Sequence, residues 1–460
     1  MEISLVGIRP DPTRPWLDAN VYAIPQMVAG QAKIHLFGAP GHKLFVDTTV
    51  ANSEVRGMIH CGNFVYVVAG SAFYYFGENQ ILSSLLGTLS TSTGRVQMVS
   101  NGLQIMIIDG LHGYVYTFGT GVFGQISDAD FMGASSLTYQ DGYGIVTVPS
   151  SGQFQISDLY DFTVWSALDY ATAEGWPDNV LAGISDHREL WLFGETTTEV
   201  WQNTGAATFP FQRASGGFLQ EGIAAAKSIA QIDESLIWLT NQLEFVKTSG
   251  YAPLPISSDQ VQYLLSKMAR VDDAIAFAWK FRKNAFYQIT FPTENVTLEC
   301  NITTGLWHRR MSGASGRYRG NCYLFAWGKH LIGDSLNGKV YQIDPETYTE
   351  DGEEIRRIHT LPPVRSRNGV DAMAHNRLTL LMKCGFGLDA DVVGSDPQIS
   401  LSYSDDGEMT WSKERTASVG KIGEYSKRVA WRRLGGAINR SYRVMITDPV
   451  EMVVSEAVLD

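Results

Sequence analysis

The chain has 460 residues, with 36 Lys+Arg against 48 Asp+Glu for a formal net charge of −12, and it is 44% hydrophobic and 11% aromatic. Such a composition can bury a large core and excludes a disordered chain, and its 45 glycines lack the three-residue period of collagen. The acidic balance argues against a nucleic-acid-coating protein, there is no apolar run of membrane-spanning length, and the N-terminus lacks the basic start and apolar stretch of a signal peptide.

The first 55 residues contain Pro10, Pro12, Pro15 and Pro25, which hold residues 10–25 extended. Segment 1–55 reads as an N-terminal arm, or a set of first strands, packed on a C-terminal domain rather than as a blade. From residue 56 the pattern changes to short alternating strands joined by tight turns. The first pair is 64–68 (Phe-Val-Tyr-Val-Val) and 72–76 (Ala-Phe-Tyr-Tyr-Phe), joined through Gly70 and Ser71. Similar hairpins begin at Gln104, Ile145, Leu190, Ser235, Phe286 and His330. A hairpin recurring roughly every 40–45 residues, with two weaker strands per repeat, is the signature of a β-propeller. A four-stranded blade is apolar on both faces, and stacking blades around an axis buries both. The fold expected for residues 56–365 is thus an all-β propeller of about seven blades, with six or eight also open; two stacked β-sandwiches are the competing architecture.

A helix interrupts the repeat near 257–270. Ser257 or Ser258 caps it, Asp259 suits its first turn, and Val261, Leu264, Leu265 and Met268 make one apolar face. It reads as an insertion packed on the propeller. Composition shifts near 350–370, through an acidic turn region (349–354) and the semi-rigid 361–364 (Leu-Pro-Pro-Val). Strand-like segments at 377–382, 398–403, 428–431, 442–446 and 450–454 then mark residues 366–460 as a separate β domain of sandwich type. Its basic and acidic residues nearly balance, so the first 365 residues carry almost all of the negative charge.

No catalytic constellation is legible. There is no G-x-S-x-G elbow, no H-E-x-x-H and no phosphate-binding G-x-x-x-x-G-K-[ST]. Histidines 60, 112, 187, 308 and 330 each sit beside a strand or turn, where a structural role is expected. Cys61, Cys300, Cys322 and Cys384 are too dispersed for a zinc site or a disulfide framework and read as reduced thiols of a cytoplasmically made protein. No metal, cofactor or catalytic residue is therefore assigned, and the chain is not read as an enzyme.

Two features stand out. Residues 404–411 (Ser-Asp-Asp-Gly-Glu-Met-Thr-Trp) resemble the Asp-box turn of sialidase-type propellers, with Glu408 where the box has glycine. Asp406 is expected to accept turn amides and Trp411 to pack under the hairpin, a structural role. Basic side chains cluster twice: Arg309, Arg310, Arg317 and Arg319 around the flexible-looking 312–316, and Lys427, Arg428, Arg432 and Arg433 in the C-terminal domain. These are candidate subunit or partner interfaces, because arginine is enriched where protein surfaces meet.

The C-terminal run 399–412, then 418–425, 428–435 (Arg-Val-Ala-Trp-Arg-Arg-Leu-Gly), Asn439, Arg440 and 442–449 resembles the end of short-tailed phage structural proteins. Tyr22 to Met27, Gly38-Ala-Pro-Gly41 and Arg56-Gly57 fit the same family more weakly. The whole chain resembles the packaged-DNA stabilisation family, the tail hub or nozzle proteins of short-tailed bacteriophages. The resemblance implies a tail protein of the virion, assembled in the bacterial host cytoplasm. It also implies a homo-hexameric ring below the portal and its adaptor protein. Such a ring extends the DNA channel, retains packaged DNA, anchors tail fibres or tailspikes, and is closed by a plug or needle protein. Genomic DNA passes without sequence-specific binding, and no membrane insertion is implied. An acidic channel wall would let the genome slide, since each Lys–phosphate contact adds friction. The alternative is a glycan-binding or glycan-hydrolysing propeller, which predicts a carboxylate–Tyr–Arg group or an aromatic shelf at the propeller axis.

Overall fold

The structure is a computed structural model describing residues 1–6, 18–28, 31–173, 175–313, 316–366, 368–389 and 391–460. Pro10, Pro12 and Pro15, and with them most of the expected extended arm, lie outside the described residues. So do residues 314 and 315 within the 312–316 loop.

Seven blades form the larger body, six of them four-stranded antiparallel sheets and the seventh four strands extended by the short Thr349–Glu350 and Glu353–Glu354. The hairpins read from the sequence are the second and third strands of each blade. Blade one runs Val55–Cys61, Phe64–Ala69, Ala72–Gly77 and Gly87–Thr88, and blade two runs Gln97–Ser100, Gln104–Ile108, Gly113–Thr117 and Val122–Gln125. The hairpin strands are apolar on both faces because each side chain set meets a different neighbour. In Phe64–Ala69, Val65, Val67 and Ala69 pack with Phe45, Leu331 and Val340 of blade seven. On the opposite face, Tyr66 and Val68 join Ile105 and Ile107 of blade two. The next residues along, Met106 and Ile108, pass on to Leu137 and Val146 of blade three. The period-two alternation of a strand thus links consecutive blades, each buried aliphatic side chain contributing about 1.5–3 kcal/mol.

First strands line the axis and touch the first strands of neighbouring blades, and Gly320–Ala326 of blade seven returns to Val55–Cys61 of blade one. That seam is tight: a Cβ on Gly333 would lie 2.4 Å from Val55 Cγ1 and 2.7 Å from Cys322 Sγ. Cys300, Cys322 and Cys384 are buried, Cys61 is partly so, and all four are free thiols.

The N-terminal segment divides, a correction to its reading as one arm. Val21–Val28 and Gln31–Gly38 join the second domain, but Gly41–Asp47 is the outer strand of blade seven, paired with Lys339–Asp344. Its sequence pattern, Gly-His-Lys-Leu-Phe-Val-Asp, gives no sign that its partner lies almost 300 residues away. Pro25 is accommodated because Val21–Val28 is an edge strand. The helix, Asp259–Lys267, connects blades five and six. Ser258 Oγ accepts the Val261 N–H, and Val261 and Leu265 are buried against Phe245, Tyr287 and Leu298.

The second body is a two-sheet sandwich. One sheet has the order Val21–Val28, Gln31–Gly38, Val453–Leu459, Arg377–Met382, Val429–Arg432, with Glu2–Ile3 also on Val453–Leu459. The other has the order Arg357–Arg365, Asn439–Ile446, Gln398–Ser404, Arg415–Ser418, so sandwich structure begins before residue 366. Leu361, Leu378, Ile399, Trp431, Tyr442 and Val454 fill the space between the sheets. Residues 361–364 lie within the strand Arg357–Arg365 as a bulge, where the two prolines shift the register between Leu361 and Val364.

Residues 18–20 stitch the two bodies together. Ala19 exchanges backbone hydrogen bonds with Ile358 of the sandwich at 2.9 Å in both directions, while Asn20 N–H donates to the Arg309 carbonyl of blade six at 2.9 Å. Asn20, fully buried at φ 57°, donates through Nδ2 to the carbonyls of Met311 and Arg356, both at 3.0 Å, and accepts the Met311 N–H at 3.1 Å. Asp18 accepts the Thr360 N–H at 2.6 Å.

Candidate functional site

The two arginine clusters have different fates. Arg309 and Arg310 are neighbours on Leu306–Arg310, so their side chains point to opposite faces. Arg310 is 1% exposed and lies over the Tyr318 ring, 4.5 Å from its centroid. Burial disfavours its charge, but Tyr318, Glu299 and Glu350 hold its pKa above the ordinary value. Arg319 faces Asp334 and Glu350 at 3.6 Å each and bonds Glu353 at 3.0 Å. Arg317 donates to Asn321 Oδ1 at 3.1 Å. Arg310 and Arg319 therefore hold blades six and seven to residues 350–353, and Arg310 is not available to a partner. This corrects its placement among the surface candidates. Periodicity could not reveal it, because the acidic partners are distant in sequence.

The same junction buries His42, whose ring lies 5.3 Å from that of Tyr341 and 5.9 Å from that of Tyr318. Burial, then Arg319 and Arg310, push its pKa well below the usual imidazole value. Glu299 is also buried there, accepting from Trp279 Nε1 at 3.0 Å and lying 2.9 Å from His308 Nε2. Burial raises its pKa, but the contacts with His308, Arg310 and Trp279 outweigh it, so the carboxyl stays below its ordinary range.

Lys427, Arg428, Arg432 and Arg433 are exposed, and three of them carry no ion pair among the described residues; Lys427 lies 3.2 Å from Glu424. They lie at and beside Val429–Arg432, the end strand of the first sandwich sheet, where Val429 and Trp431 point inward. Trp431 Nε1 donates to the Arg415 carbonyl, and Arg415 Nη2 donates to the Arg432 carbonyl, both at 2.7 Å. The two sheets are tied at this edge, which faces solvent with positive charge and resists unwanted strand pairing.

Residues 404–411 form the tight turn. Asp406 accepts the Met409 and Thr410 amides at 3.0 Å and the Thr410 hydroxyl at 2.5 Å, and Ser404 Oγ donates to it at 2.7 Å. These bonds, that of the Thr410 hydroxyl first, hold its carboxyl far below the usual range. Glu408 adopts φ 74°, the left-handed conformation for which the box carries glycine. Trp411 is half-buried beneath Arg443, whose guanidinium lies 4.2 Å from its ring centroid.

Distance in sequence also hid a polar cluster. Ser90 Oγ lies 2.9 Å from His112 Nδ1, 2.7 Å from Tyr114 Oη and 3.3 Å from Asp109 Oδ2. It is not a charge-relay triad. Asp109 accepts from Ser90, from Thr91 at 2.8 Å, from Tyr114 at 3.2 Å and from the amides of Leu111 and His112. Nothing there has the carboxylate orienting the imidazole, as general-base activation of a serine requires. No cluster of His, Cys, Asp and Glu fit to hold a metal occurs among the described residues.

The propeller axis holds a cavity of about 240 Å³, far too small to pass a duplex. Tyr323 lines it, but its hydroxyl is bonded to His330 Nδ1 at 2.9 Å, so no tyrosine–carboxylate pair of the glycosidase kind forms there.

A family model described as "Bacteriophage P22 Gp10, beta-propeller" matches residues 5–348, and one described as "Bacteriophage P22 Gp10, beta-sandwich" matches residues 367–460. No curated protein matches the chain. Among solved structures it is similar to the WD40 domain of Neurospora crassa Pan2, with 7% identity, 66% of this chain and 95% of that one covered, and a TM-score of 0.44. It is also similar to YCF48 from Cyanidioschyzon merolae, with 10% identity, 66% and 99% covered, and a TM-score of 0.43.

Proposed function

The chain belongs to the bacteriophage P22 Gp10 family of tail hub proteins of short-tailed phages, and from that premise we propose that it forms a homo-hexameric ring below the portal and adaptor. In this reading the ring extends the DNA channel, retains the packaged genome, anchors fibres or spikes, and receives a plug or needle. It is assembled in the host cytoplasm and performs no catalysis. One observation carries the reading: residues 18–20 hydrogen-bond to both blade six and the sandwich, joining two unlike bodies into one stiff strut. A closed ring needs a subunit with two different faces held at a fixed angle, because each contact is heterologous. The net charge of −12 suits a wall that lets DNA pass without holding it. The exposed Lys427, Arg428, Arg432 and Arg433 supply a basic face for an acidic surface of a neighbouring subunit or the adaptor.

Native mass spectrometry and electron microscopy of the purified chain, alone and with adaptor-capped heads, test this reading. A six-membered ring on the adaptor is expected. Reversing the charge of those four residues should abolish attachment without altering the circular dichroism spectrum. A chain that stays monomeric and leaves adaptor-capped heads bare would overturn the proposal.

A further inference from the structure

Every blade begins at the axis and steps outward strand by strand, so all seven first strands run the same way and the residues just before them gather at one mouth. Charges of both signs gather at that mouth, and two of the basic ones reach the axis itself. Arg95 precedes the first strand of blade two, Lys227 that of blade five and Arg317 that of blade seven, and Arg95 and Lys227 line the axial cavity.

The acidic residues at this end are engaged elsewhere: Asp178 accepts the Thr196 and Thr197 amides, and Asp273 accepts the Thr293 amide and hydroxyl. Glu54, before the first strand of blade one, accepts the Gly94 N–H with one oxygen and Asn321 Nδ2 with the other, at 3.0 Å for the latter. Arg317 is bonded to Asn321 and also faces Asp273 and Asp334. Arg56, fully buried, donates only to Gly70, Thr91, Thr93 and Gly94, so it adds positive field but no free donor. Lys227 Nζ donates to the Arg95 carbonyl at 3.3 Å, and Arg95 Nη1 donates to the Asn321 carbonyl. Neither cation forms an ion pair among the described residues, and each keeps N–H groups for something else. Two partly desolvated cations sharing a cavity repel one another. Burial, then Arg95 and Arg56, pull the Lys227 pKa down, with Glu54 opposing.

The geometry points to a binding site for a small oxyanion of the phosphate class at this mouth, held by Lys227 Nζ and the Arg95 guanidinium. An ammonium and a planar guanidinium lining one half-open cavity are the donors such an anion needs, and it would relieve their repulsion. The volume, about 240 Å³, admits a tetrahedral oxyanion with several waters but no nucleic acid. This inference does not depend on the ring.

Calorimetric titration of inorganic phosphate into the full chain, with chloride at matched ionic strength as control, tests it. The intact protein should bind one phosphate saturably. Lys227→Met should weaken binding roughly tenfold or more, the usual cost of a lost charge-assisted hydrogen bond, and Lys227→Arg should largely retain it. ³¹P NMR on the unmodified protein gives a readout independent of variant folding: specific line broadening supports the site, and its absence overturns it. Undiminished phosphate binding by a folded Lys227→Met variant would place the anion elsewhere and overturn it as well.

Discussion

Asn20→Ala tests the stitch between the two bodies. The substitution deletes two hydrogen bonds from Nδ2 and two to Oδ1, the longer from Arg310 Nη1 at 3.5 Å, in a residue with no exposure. The three shorter bonds, at about 1 kcal/mol net each, give about 3 kcal/mol, and the Met311 N–H is left buried and unpaired. Alanine at φ 57° costs about a further 1 kcal/mol that glycine avoids. Asn20→Gly should therefore lose about 3 kcal/mol and Asn20→Ala about 4. Hydrogen exchange by mass spectrometry over 18–21, 306–311 and 356–360 reads this locally, without assuming that the whole chain unfolds in one step. A loss of about 3 kcal/mol is a protection factor lower by about a hundredfold, since each 1.4 kcal/mol is a factor of ten. If exchange in those peptides changes less than about threefold, the side chain of Asn20 does not hold the junction. If glycine proves worse than alanine, the backbone argument fails.

His42 is held neutral by burial and by Arg319 and Arg310, so folding is favoured fully above its unfolded pKa near 6.5 and is weakened as pH falls below that value. Thermal melts from pH 8 to 5 should show this decline, and His42→Phe should flatten it; an unchanged slope would exonerate the residue. Asp406 has the opposite charge type but the same direction, since its depressed folded pKa gives stability that is present above about pH 4 and lost in stronger acid. Asp406→Asn should remove that acid sensitivity in hydrogen exchange over 404–411. Gly333→Ala should lower the midpoint of denaturant unfolding by about 1–3 kcal/mol equivalent through overpacking at the blade seven–blade one seam; a neutral result would mean the seam can relax. A fluorophosphonate probe should leave Ser90 unlabelled at neutral pH, and labelling that His112→Ala abolishes would reveal an activated serine.

The central hairpins were legible because their strands are buried on both faces, so Phe64–Ala69 and Gln104–Ile108 are almost wholly apolar. The flanking strands were not. Val55–Cys61 lines an axial cavity and mixes Arg56, Gly57 and His60 with apolar residues, while Val122–Gln125 lies on the exposed rim. Neither kind has the alternation that marks a strand with one buried face. Gly41–Asp47 escaped for a third reason: its pairing is non-local, and local pattern carries no record of it. The basic clusters show the same limit. Alternation explains why Arg309 and Arg310 diverge, but only the fold reveals that Glu350 and Glu299 surround one of them. The axial cavity draws Arg95 and Lys227 from separate blades, and no motif spans them.

The placement of Val453–Leu459 bears on how the protein is made. This late-synthesised segment sits inside its sheet, between Gln31–Gly38 and Arg377–Met382, and it also receives Glu2–Ile3. During translation Glu2–Ile3 and Gln31–Gly38 are made long before the strand they pair with. The sheet can close only after residues 453–459 have emerged from the ribosome. A chain cut short before residue 453 leaves that sheet without its middle strand and its two halves open to proteolysis.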